Sequence, residues 1–213
     1  MPSVSSRPRR RDAVANREKL VAAAETVFAE HGVTAALEEI ARRAEVSIGT
    51  LYNHFPNRGS LLDAVYPARI AELAGTAQTA LADDDPWRGF RSFLVQVFEL
   101  QATDRGMNDA MTLRYPDATA LAAACDEGFA SASRLIERAQ ESGALRDDFQ
   151  IEDLASLVWS VSRIISATVD VAPDAWRRFL DLQLDGLRAE GAHPLSAPAM
   201  TAEQVATAMR AGA

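Results

Sequence analysis

The chain has 213 residues, enough for one or two domains with a real core, and its 48% hydrophobic and 24% charged content is ordinary for a globular protein. Its formal net charge of −8, taken whole, argues against a nucleic-acid partner, and its single cysteine, Cys125, excludes an internal disulfide and reads as a small buried or silent thiol. The most apolar stretch, Leu154 to Val169, is broken by Arg163, and the Ser- and Arg-rich N-terminus has no apolar core after it, so no membrane or export role is implied and a cytoplasmic protein is expected.

Charge is unevenly spread. Residues 1–60 carry nine Lys or Arg against seven acids, for +2, leaving 13 of the 22 basic and 23 of the 30 acidic residues to the rest, for −10. Local charge is what a phosphate feels over a Debye length of about 8 Å. The densest positive spot is Arg7-Pro8-Arg9-Arg10-Arg11, within residues 1–12. That segment reads either as a flexible basic arm lying along phosphates or in a minor groove, or as a solvated leader.

The stretch Leu37–Phe55 reads as two short helices crossing at a tight turn. Ile40, Ala44, Val46, Leu51 and Phe55 are spaced to bury facing stripes, and Ala41 is small where two helices approach. Ser47 suits an N-cap for a second helix starting near Ile48. On that helix Ile48, Leu51, Tyr52 and Phe55 share one stripe, leaving Ser47, Gly49, Thr50, Asn53 and His54 outward. Short hydrogen-bonding side chains suit a DNA groove, since Asn can pair with adenine and Thr can meet a thymine methyl. A helical hairpin with a merely solvated polar face has the same pattern.

The flanks carry a family resemblance. Arg17–Gly32 resembles the first helix of the TetR family of transcriptional regulators, and Ile48–Arg58 resembles that family's recognition helix and the approach to its fourth helix. The resemblance implies an all-α fold: an N-terminal three-helix helix-turn-helix domain, residues 13–59, and a larger helical ligand-binding and dimerisation domain, residues 60–190. It also implies a homodimer, a palindromic double-stranded DNA operator, release by a small-molecule effector, and no cofactor. Ser47, Thr50 and Asn53 are then expected to face bases, with Tyr52, His54 and Arg58, joined by Arg9, Arg10 and Arg11 of the arm, at phosphates. Two residues depart from the family pattern. Glu45 stands where the turn usually has Gly, which puts a Cβ in a left-handed position at about 1 kcal/mol. Gly59 replaces the acidic residue that usually opens the fourth helix, which is expected to loosen its start.

Beyond Arg58 the pattern stays helical. Ser60 to about Leu81 is Ala- and Leu-rich, with Pro67 as a kink or end. Asp83–Pro86 reads as a loop and cap before a heavily aromatic helix, and a long helix from about Ala118 to Ser142 stops at Gly143. For an effector pocket the candidates are Trp87, Phe90, Phe93, Phe98, Met107, Met111, Tyr115, Phe129 and Trp159, any of which could equally be core. Arg114 and Arg163 are candidate anchors for an acidic ligand. The helices at about Ile151–Val169 and Pro173–Glu190 carry two apolar faces, so Leu157, Val161, Ile165, Trp176, Leu180 and Leu184 are candidates for a two-fold interface. Residues 191–213 read as a linker and a short helix with capping-box spacing at Thr201–Gln204, which needs docking to persist.

An enzyme finds no support in these residues. There is no Gly-rich phosphate loop and no nucleophile motif, His31, His54 and His193 are scattered, and no metal site is expected. A helical interaction protein of the same fold without operator binding is the alternative.

Overall fold

The computed structural model describes residues 7–211, and side chains over residues 11–210. The chain is a succession of helices: α1 Arg7–His31, α2 Leu37–Arg43, α3 Ile48–His54, α4 Arg58–Val65, α5 Pro67–Leu81, α6 Pro86–Thr103, α7 Arg105–Thr112, α8 Thr119–Glu141, α9 Ile151–Thr168, α10 Ala175–Gly186 and α11 Ala202–Ala211. No strand occurs among the described residues beyond an isolated bridge between Leu145 and Arg188.

Local sequence explains most boundaries. Pro67 opens α5 and Pro86 opens α6, first-turn positions where a missing N–H leaves no bond unmade. Asp85 caps α6 by accepting from the N–H groups of Trp87 (3.0 Å) and Arg88 (3.1 Å). Gly143, at φ 73°, ends α8 with the paired bonds of a Schellman turn, Gly143 N to Gln140 O (2.8 Å) and Ala144 N to Ala139 O (3.0 Å).

The expected arm over residues 1–12 is corrected in its second half, while residues 1–6 lie outside the described residues. Backbone from Arg7 onward is helical, so residues 7–12 extend α1 instead of forming a flexible arm. Arginines favour helix, and Pro8 lies in the first turn, where proline is tolerated. Arg11 is exposed on this extension, while the side chains of Arg9 and Arg10 lie outside the described residues.

Two apolar cores divide the molecule. The N-terminal one gathers Leu20, Val27 and Phe28 of α1, Ile40 of α2, Leu51 of α3, Phe55, and Leu61 and Leu62 of α4, all essentially inaccessible. It does not close at residue 59: Tyr66, Ile70, Met107, Ala110, Ala118 and Leu121 belong to it, so α7 and the start of α8 complete the N-terminal unit. The second core joins α5, α6, α8, α9 and α10 around Phe90, Leu94, Phe98, Leu135, Val161 and Trp176. Each such Leu or Phe stabilises the fold by about 1.5–3 kcal/mol through burial.

Candidate nucleic-acid interface and effector cavity

The turn between α2 and α3 is a Schellman motif. Glu45 N donates to Arg42 O (3.2 Å) and Val46 N to Ala41 O (3.0 Å), with Glu45 itself at φ 58°, the one non-glycine left-handed residue among those described. The turn keeps its shape despite the Cβ. Ser47 then caps α3, its hydroxyl accepting from Thr50 N at 3.1 Å. The Ser47 and Thr50 hydroxyls also lie 2.9 Å apart, so each holds the other's rotamer.

Around α3, Leu51 is fully buried while Ser47, Gly49, Tyr52 and Asn53 are exposed and Thr50 and His54 are half-buried. Tyr52 corrects the sequence pattern: at 47% exposure it leaves the apolar stripe and joins the outward face. Its hydroxyl end favours water, and a seven-residue helix buries only the narrow stripe that Leu51 occupies. The outward surface is therefore Ser47, Thr50, Asn53 and Tyr52 together.

Arg58 is turned inward. Its Nη1 donates to the carbonyls of Val33 and Ala35 (2.8 Å to the latter), clamping the loop between α1 and α2. A guanidinium so engaged and half-buried is a fastener of the fold, which corrects its expected place at a phosphate. Gly59 does not loosen α4. Asn57 caps that helix in a reciprocal pair with Ser60, with Asn57 Oδ1 accepting from Ser60 N at 2.8 Å. A Cβ on Gly59 would lie 2.6 Å from the backbone carbon of Asp117, so glycine is required there by the approach of the α7–α8 loop.

The pocket candidates separate by location. Phe93, Met111 and Phe129 line a cavity of about 60 Å³ between α5, α6, α8 and α9, together with Leu73, Cys125 and Val158. The other six do not reach it. Trp87 and Phe90 pack on one another at 5.8 Å under Arg188, Phe98 packs on Trp176, and Met107 and Tyr115 belong to the N-terminal core. Trp159 lines a separate groove with Arg163, beneath Ala208 of α11. Their aromatic and Met character marks all nine as apolar but cannot say which helix faces meet.

The suggested anchors are placed elsewhere. Arg114 donates to Ala122 O (3.0 Å) and pairs with Asp126, and Arg163 is exposed. The Cys125 thiol is pushed up to about 11 by burial, so it is neutral at physiological pH.

The expected two-fold interface is also corrected. Leu157, Val161, Ile165, Trp176, Leu180 and Leu184 are all at most 7% exposed within one protomer and form its own core with α6. The outward apolar residues of this region are Val171, at 82% exposure, and Leu182, at 58%, with Phe179 half-buried beside the core. The tail helix docks: the Thr201–Gln204 capping box forms, Met209 is buried, and Met209 O accepts from Arg114 N at 3.3 Å.

One element that joins the two regions is not legible in the sequence. Helix α7 puts Met107 into the N-terminal core and Met111 on the cavity, and between them the Asp109 carboxylate accepts from Val33 N at 3.1 Å. Gly32, at φ 79°, admits this contact, since a Cβ there would sit 2.6 Å from Asp109 Oδ2. Burial raises the Asp109 pKa, and the Val33 N–H partly opposes the rise. Only the glycine after α1 was a visible signal, because Val33 and Asp109 lie 76 residues apart.

Comparison with known proteins bears on the family and the fold. Residues 20–65 match the family described as bacterial regulatory proteins, tetR family, and residues 85–189 match the C-terminal domain described as transcriptional regulator SbtR-like. The TetR transcriptional regulator SCO0520 of Streptomyces coelicolor is similar at 30% identity and a TM-score of 0.51, over 81% of this chain and 98% of that one. The chain belongs to the TetR family of transcriptional regulators. Members of this family are DNA-binding regulators and not enzymes. Among curated TetR-family relatives, the probable acrEF/envCD operon repressor of Escherichia coli is 32% identical over 87 residues, and the chain spans 40% of its length. The repressor KstR of Mycobacterium tuberculosis is 27% identical over 147 residues, 67% of each chain. The two matched segments leave α11 outside the family descriptions, and the Glu45 turn and Gly59 inside them.

Proposed function

We propose that the protein is a repressor that binds a palindromic operator as a homodimer and is released when a small molecule enters the α5–α6–α8–α9 cavity. The observation that carries the reading is the outward face of α3: Ser47, Thr50, Asn53 and Tyr52 project from a short helix whose reverse side is locked by Leu51 and the Schellman turn. Bidentate Asn to adenine and Thr to a thymine methyl are the groove contacts that such side chains make. His54, half-buried at the end of α3, and Arg11 on the N-terminal extension are at hand for phosphates.

A homodimer is supported by the outward apolar side chains Leu182 and Val171, which have no partner surface in one protomer. A two-fold pair presents its recognition helices about 34–36 Å apart to successive major grooves. Helix α7 supports coupling, since one eight-residue element touches both the cavity, through Met111, and the loop before α2, through Asp109. Effector and operator then lower each other's affinity by the same factor.

The test is a titration of the gene's own upstream DNA at several salt concentrations. A saturable complex that prefers one fragment and weakens steeply with salt is expected. Equal binding to all fragments at every salt concentration would favour the alternative, an interaction protein that has kept the fold.

A further inference from the structure

We infer that the α5–α6–α8–α9 cavity takes an uncharged, compact apolar molecule of about the size of a single aromatic ring, admitted past Gly128. The inference rests on reading the C-terminal bundle as the effector-sensing part of the protein, and adds the chemical class.

Charge decides first. Among the described residues no charged side chain lines the cavity, and the only polar side chains that do are those of Cys125 and Ser131. The Ser131 hydroxyl accepts from Arg134 (3.1 Å), and the Cys125 thiol stays protonated because burial raises its pKa. Arg114, the cation near Cys125, is engaged by Asp126 and Ala122 O. A carboxylate or ammonium entering this space leaves water and meets no counter-charge, which is prohibitive, whereas an apolar ring meets Phe93, Phe129 and Met111.

Size decides next. An apolar cavity of about 150 Å³ holds benzene, and the present volume of about 60 Å³ is less than half of that. The difference can come from Met111 and Phe129, which are half-buried while Phe93, Leu94 and Leu154 are buried. Methionine has three rotatable bonds and refits around a guest. A long acyl chain or a polycyclic guest needs several such displacements at once.

Gly128 marks the way in. It lies inside the 23-residue helix α8, where glycine weakens a helix relative to alanine. Neither backbone conformation nor crowding asks for it: it is not among the positive-φ glycines, and a Cβ built there meets nothing within 4 Å. What the missing side chain leaves is open space beside Phe129 at the cavity. A side chain at this position fills that space without displacing the fold.

The test is thermal unfolding of the full chain with toluene, benzoate or benzylammonium, three probes of similar size. Toluene is expected to raise the melting temperature by about 2–4 °C, and the two ions are expected to leave it unchanged. Gly128→Leu should abolish the toluene shift. Gly128→Ala, which improves the helix, should raise the basal melting temperature and keep a shift, which shows that the position tolerates a side chain. A shift from benzoate or benzylammonium equal to toluene's, a toluene shift that survives Gly128→Leu, or no shift with any probe would each overturn the inference. The effector reading fails separately: toluene that binds in a Gly128-dependent way but leaves operator affinity unchanged keeps the assigned ligand class and refutes effector release.

Discussion

The two halves of the molecule use the same material in opposite ways. At the N-terminal end the core residues of α1, α2, α3 and α4 are sealed and the short polar residues of α3 are held outward, so the candidate interface lies on the surface. In the C-terminal bundle the charged residues are solvated or paired, the aromatic residues of the core turn inward, and the candidate functional feature is a small space that packing left unfilled. A surface can be specified by a few neighbouring residues, whereas a void requires several distant helices to agree. Helix α7 is the element that touches both, through Asp109 and Met107 on one side and Met111 on the other.

That division can be broken experimentally, beginning with the largest effect. Leu182→Glu puts a charge on the outward apolar face of α10 without touching either core. The expected result is a monomer in sedimentation with an unchanged melting temperature, and an operator affinity lower by about 100-fold because two linked half-site contacts become one. A variant that remains dimeric moves the interface elsewhere.

Arg58→Met tests which half of the division this residue serves. Loss of its bonds to the Val33 and Ala35 carbonyls should destabilise the protein by about 1–3 kcal/mol in chemical unfolding. An unaltered stability with weaker operator binding would return Arg58 to the phosphate backbone.

A smaller effect of opposite sign is expected for Glu45→Gly. The same Schellman geometry is met by Gly143 at φ 73° and by Glu45 at φ 58°, so the exchange relieves a left-handed Cβ. It should stabilise by about 0.5–1 kcal/mol, net of the glycine's greater freedom when unfolded, with operator sequence preference unchanged. Destabilisation would mean that the Glu45 side chain makes a contribution beyond the turn.

The smallest effect is electrostatic. Burial raises the Asp109 pKa above its ordinary value of 3.8, so the folded protein holds this proton more tightly than the unfolded chain does. The stability contributed by the group therefore falls as pH rises from the unfolded value through the folded one. Asp109→Asn keeps an acceptor for Val33 N and should flatten the stability profile just above pH 3.8. An identical profile in wild type and variant would contradict the burial of that carboxylate.

Legibility in the sequence follows the same division. The α2–turn–α3 unit is specified within 19 residues, through Ser47 as cap, Glu45 in the turn and Leu51 as the buried stripe, so each could be read in place. Periodicity alone puts Tyr52 on the buried stripe, which a seven-residue helix is too short to extend to it, whereas its exposure is compatible with the phosphate place that the family resemblance implies. Trp176, Leu180 and Leu184 were recognised as apolar and assigned to a partner protomer, when α6 and α9 of the same chain cover them. Periodicity tells which face of a helix is apolar and carries no information on the covering element. Asp109 and Val33 meet across 76 residues, and only folding brings that pair together.

The central claim, that the outward face of α3 reads bases, is tested most directly by the affinity of wild type and Asn53→Ala for an operator and for its set of single base-pair variants. The expected result is a loss of about 1–3 kcal/mol on the parent operator and a loss of discrimination at one symmetric position. An equal loss on every variant, with the preference at each position preserved, would contradict it.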